Sequence, residues 1–121
     1  MNEGVPQVPE KPRRIESSET EEFSREGFDG HVYVAEPTLG FNALAVDVHG
    51  RHPRKKMLGD TTRSYFVIEG HGVFVLGNES YNAGAGDLFI VPPGAEYEYE
   101  GEMRLFEFNV SPSKNIQDEK I

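Results

Sequence analysis

The sequence contains no cysteine and no tryptophan. Without thiols there is no disulfide framework, no thiolate-held metal and no cysteine nucleophile, a usage that points to a cytoplasmic setting. Positive charge is scarce as well: 12 Lys+Arg stand against 21 Asp+Glu, a formal net charge of -9. Such a chain repels phosphate backbones and anionic headgroups, which argues against nucleic acid and membrane surfaces as partners. No apolar run approaches the roughly 20 residues that cross a bilayer. The opening residues lack the basic-then-apolar order of a secretory leader, in keeping with the cytoplasmic expectation. Also missing are any ten-residue amphipathic helical pattern, an internal repeat, a Ser-His-Asp order, a Walker loop and a dinucleotide fingerprint.

What is present is turn chemistry and short apolar runs. Thirteen glycines, eight prolines and five tyrosines in 121 residues describe one all-β domain of many strands. Residues 1–26 carry seven acidic and four basic side chains and three prolines, and are expected to be a mostly flexible acidic segment; a short strand starting near Ile15 is a possible exception. Strands are expected at His31–Val34, Phe41–Val48, Ser64–Ile68, Val73–Leu76, Ser80–Asn82, Leu88–Val91, Ala95–Glu100 and Met103–Val110. The polar stretch 49–62 reads as a loop with an irregular strand. The domain is placed at 27–112, with a tail at 113–121.

Alternation assigns faces. Glu96, Glu98 and Glu100 share one side, which must be solvated, so Tyr97 and Tyr99 point inward. On the preceding strand Tyr65 and Val67 share one face and Phe66 and Ile68 the other. Both faces are apolar, so something must cover the outer one. An N-terminal strand or a second subunit would serve, and a homodimer is expected.

Gly86-Asp87, then Leu88-Phe89-Ile90-Val91, Pro92 and Gly94, have the spacing of the second sequence motif of the cupins. Gly50, Lys56, Leu58, Arg63 and Gly70 fall at the intervals of the first, and from about Gly40 to Pro112 the chain resembles the small single-domain cupins. The resemblance implies an antiparallel jelly-roll barrel. Cupins span dioxygenases, isomerases, epimerases, lyases and binding proteins, so it says little about function. In metal-binding members three histidines and a glutamate converge inside the barrel. Here Lys56, Leu58, Arg63 and Tyr97 stand at those positions, and two cations repel a divalent ion. The expectation is a barrel without the usual metal and without cofactor.

By this register Arg63, Tyr65, Tyr97, Tyr99 and Lys56 line a pocket. A guanidinium fork and phenols suit an anionic or sugar-like small molecule. In the opposing reading Arg63 pairs with an interior acid, Asp47 or Glu107, and the tyrosines are core. A metal-independent isomerase or epimerase is the enzymatic alternative, with Tyr97 moving a proton and Arg63 or Lys56 steadying an enolate. It needs an interior histidine, for which His49, on one face with Asp47, is the nearest candidate. If the first motif were out of register, a metal-dependent enzyme using His49 and His52 would be the fallback. Otherwise these two read as loop histidines, His71 as an exposed turn residue and His31 as structural.

Overall fold

Glutamate and tyrosine alternate from Glu96 to Glu100, and the structure turns that alternation into two environments: Tyr97 and Tyr99 are buried, while Glu100 is exposed. The computed structural model describes residues 11–36 and 39–114. Their strands are β1 (Glu21–Arg25), β2 (Phe28–Val34), β3 (Phe41–Lys56), β4 (Thr62–Leu76), β5 (Glu79–Gly84), β6 (Leu88–Val91) and β7 (Glu96–Val110). A single 3-10 turn at Ser17–Glu19 precedes them. All pairings are antiparallel, in the order β1-β2-β3-β7-β4-β5, with β6 added to β4. This is the jelly-roll barrel expected from the sequence.

Three central strands of 15 or 16 residues carry the barrel. They pass one another at a row of glycines, Gly50 facing Gly101 and Gly101 facing Gly72. A Cβ at Gly72 would strike the carbonyl oxygen of Glu100, and one at Gly101 the backbone of His71 and Gly72. Only glycine lets the backbones approach so closely. Inside, Val46, Val48, Val67, Phe74, Phe89, Met103 and Leu105 form the core with the tyrosines. Phe74 stacks on Phe89 with ring centroids 4.2 Å apart.

The strand expected near Ile15 is found instead at Glu21–Arg25, pairing with β2. Of the flexible segment and tail expected at 1–26 and 113–121, residues 1–10 and 115–121 lie outside the described residues. A second difference concerns 49–62, where β3 continues to Lys56 instead of giving way to a loop. The polarity of that stretch has a partner. Arg51 and Arg54 bond Glu98 at 2.7 and 3.0 Å, and Arg54 bonds Glu96 at 2.8 Å. A run that looks like loop when read alone is thus the charge complement of the glutamate face of β7.

The hairpin of β1 and β2 pairs with β3 only as far as Phe28 opposite Val48. Its turn then leans on the barrel: the His49 N–H donates to the Gly27 carbonyl at 2.8 Å, and Asp29 meets His49 at 3.3 Å. Gly27, with φ of 95°, touches the Arg51 backbone where a side chain has no room. Beyond this contact the edge of β3 diverges from the hairpin and a cavity opens between them.

Candidate functional site

On β3 the inward positions run by twos through Leu44, Val46, Val48 and Gly50 to His52. His52 lies opposite Tyr99, and the next interior pair is Lys55 with Tyr97, so three steps on β3 match two on β7. The extra residue is a β-bulge at Pro53-Arg54, the device by which strands re-aim side chains beside a site. It corrects one sequence expectation. Lys55, half-buried and lining the cavity, takes the inward place, and Lys56 opposite Glu96 is exposed.

His52 is 4% exposed and forms the floor of the cavity. Its ring stacks on Tyr99 at 4.7 Å and Tyr97 at 5.3 Å, with Phe28 at 5.0 Å on the hairpin side. Its Nδ1 lies 2.8 Å from the carbonyl oxygen of Pro53. A carbonyl can only accept, so Nδ1 holds a proton, and Nε2 is the ring nitrogen at which a second proton can be exchanged. The cavity, of about 1040 Å³, runs from this ring to Arg25 and Glu26 on the hairpin turn and to Arg51 and Lys55 on β3.

Behind His52 lies a buried polar chain. Arg63 donates from Nε to Asn109 at 2.6 Å and from Nη1 to the Tyr97 hydroxyl at 2.7 Å, with Glu107 3.2 Å from its Nε. Asn109 also donates to Glu107 at 2.8 Å. The Tyr97 oxygen accepts from Arg63, and the Tyr65 hydroxyl, 3.1 Å from it, links it to Tyr99. A line of hydroxyls therefore runs from the guanidinium to the ring that stacks on His52.

Arg63, Tyr65, Tyr97 and Tyr99 do come together, but as one hydrogen-bonded interior. The arginine is paired with Glu107, the interior acid of the opposing sequence reading; Asp47 is outside, bound to His31 at 3.2 Å and Arg104 at 3.4 Å. That disposes of Asp47 as an orienting partner for His49, which is half-exposed and bridges to Asp29. His52, which the sequence offered only as a loop residue or as a fallback metal ligand with His49, is the interior histidine.

The donor set does not suit a divalent metal: a guanidinium cannot ligate, and no three His, Asp or Glu side chains among the described residues converge on one point.

Burial pushes the Tyr65 and Tyr99 phenols well above their ordinary range, and the Glu107 carboxylate adds to the effect. Both are therefore neutral donors at physiological pH. The stability they contribute is fully present below the unfolded value of about 10 and is lost as pH rises through the folded values. In an alkaline titration the tyrosinate absorbance of these two residues should appear only together with loss of the β-sheet circular dichroism. Their ionisation ahead of unfolding would show that water reaches the chain of hydroxyls.

Residues 59–107 match the cupin domain family. No curated protein matches the chain. Among solved structures, Pac13, described as a unique nucleoside dehydratase, is 29% identical with a TM-score of 0.74, over 84% of this chain and 83% of that one. A Streptomyces PAC13 variant holding uridine is 28% identical over 84% of each chain, also with a TM-score of 0.74. KdgF from Halomonas sp. shares the fold at 14% identity, with a TM-score of 0.71 over 84% of this chain and 94% of that one. The PAC13 variants with uridine replace a histidine, a tyrosine thirteen residues after it, or a tyrosine thirty-four residues further on.

Proposed function

The chain is a small single-domain cupin barrel, and from that premise we propose that it binds a nucleoside-like small molecule in the cavity above His52 and performs metal-independent acid–base chemistry on its sugar. The observation that carries this reading is a buried imidazole at the floor of a cavity, with its Nδ1 proton held by Pro53 and the Tyr99 phenol stacked against it. His52, Tyr65 and Tyr99 repeat the spacing of thirteen and thirty-four residues found in the uridine-bound variants.

The chemistry that fits is loss of water from a sugar carrying a carbonyl. His52 takes the proton from the carbon next to that carbonyl, the electron pair forms a carbon–carbon double bond, and the hydroxyl on the following carbon leaves as water with that same proton, which His52 hands on. Atoms and charge balance without an oxidant or a metal. Arg63, Asn109 and the three tyrosines do not line the cavity; they form the wall on which the His52 ring is stacked. Simple binding of the same class of ligand is the reading without catalysis.

Calorimetric titration with uridine tests the ligand class, with a saturable heat expected. No binding by uridine, cytidine or adenosine would remove the nucleoside reading.

We also propose that the barrel works as a homodimer. Phe66, Ile68, Leu88, Ile90, Phe106 and Val110 are each between 37% and 57% exposed. The paired positions Phe66–Leu88 and Phe66–Phe106 make their sheet face continuous. Strand β1, one of the two covers considered from sequence, lies at the far end of the strand order. A second copy is the occupant that remains for a patch of this kind. Light scattering on a sizing column should give twice the chain mass, falling to one for Ile90→Lys. A monomer in the unsubstituted protein would refute the pairing.

A further inference from the structure

The proposed site has a neutral floor and a basic rim. In a chain of net charge -9, the cavity wall carries Arg25, Arg51 and Lys55 against a single carboxylate, Glu26. Two of the cations have no carboxylate partner among the described residues. Arg25 donates to the Ser24 carbonyl at 3.0 Å and lies over the Phe23 ring at 4.9 Å. Lys55 is half-buried and aims inward past the bulge, where burying an ammonium without a partner costs free energy that an anionic ligand would recover. Arg51 is bonded to Glu98 and Arg54 to both Glu96 and Glu98, so these two arginines are matched by two carboxylates and the unmatched charge of the rim lies on Arg25 and Lys55.

These cations come from two separate elements. Arg25 stands on the hairpin turn held against β3 by the Gly27 carbonyl, and Lys55 is turned inward only by the Pro53-Arg54 bulge. The cavity, about 1040 Å³, is at the upper end of what drug-sized ligands occupy, which leaves space beyond a base and a sugar.

We infer that the rim formed by Arg25 and Lys55 receives an anionic substituent on the sugar, so that the substrate is a nucleoside bearing a carboxylate or phosphate and not a neutral nucleoside. This rests on the nucleoside reading above. A carboxylate or phosphoryl group takes charge-assisted hydrogen bonds from such donors, and the arginine fork favours an oxyanion with two accepting oxygens.

Titration calorimetry at low salt with uridine, uridine 5'-monophosphate and uridine 5'-carboxylic acid separates the two claims. One of the anionic compounds should bind at least about tenfold more tightly than uridine, the yield of a single charge-assisted bond. The tighter of the two identifies the group. Raising the salt should shrink the advantage, and the double variant Arg25→Gln/Lys55→Gln, with its melting curve recorded as a control for folding, should abolish it. Uridine binding as tightly as both anions would overturn the inference while leaving the nucleoside reading intact. An anion advantage that survives the double variant would also overturn it, since the selectivity would then arise elsewhere. Failure of all three compounds to bind would remove both claims.

Discussion

His52→Gln should lower the rate of proton removal from a carbonyl-bearing nucleoside by about 10²- to 10⁴-fold, the range lost with a positioned general base. Glutamine keeps a side-chain amide that can still donate to the Pro53 carbonyl, 2.8 Å from Nδ1 in the native ring. What it loses is the basic nitrogen. Ligand affinity and melting temperature should therefore change little while turnover collapses, and deuterium uptake from solvent into the ligand reports the step directly. Tyr99→Phe keeps the ring stacked on His52 and should lower turnover far less than His52→Gln. Unchanged turnover in His52→Gln would eliminate the acid–base mechanism and leave a binding protein.

The largest stability effect should come from Glu107→Leu. Its carboxylate lies 3.2 Å from Arg63 Nε, with side-chain exposures of 10% and 8% for the two partners. Removing the acid leaves a guanidinium buried without its countercharge, a situation that costs about 3–5 kcal/mol. For a domain of this size that corresponds to a drop in melting temperature on the order of 15 °C. Replacing both partners, Arg63→Met with Glu107→Leu, should recover most of the loss, because two apolar side chains need no compensation. If the single and double variants melt alike, the penalty belongs to packing and not to charge.

The barrel was legible because its signals are local. Gly86-Asp87 and Gly94 punctuate β6, and the Glu-Tyr alternation from Glu96 to Glu100 fixes the faces of β7 without reference to other strands. Arg63 and Tyr97 could be placed inside by counting from those strands, although the choice between a ligand-facing and a Glu107-paired arginine depended on contacts across 44 residues of chain. The interior place of His52 was hidden for two reasons. The polar run from His49 to Lys56 looks like loop until Glu96 and Glu98 are placed beside it, and an inserted residue at Pro53-Arg54 breaks the count that would have put Lys55 inward. A usable signal was there all the same: Leu44, Val46, Val48 and Gly50 form a period-two series whose next member is His52.

The strand order has a consequence for how the protein is made. Strand β7, which follows the other six in the chain, sits between β3 and β4 at the middle of the sheet. It also supplies Tyr97, Tyr99, Glu107 and Asn109. During translation the earlier strands therefore lack the element that closes the sheet until β7 has emerged and inserted between β3 and β4. Closure of the core should then be a single late event, with unpaired strand edges exposed up to that moment.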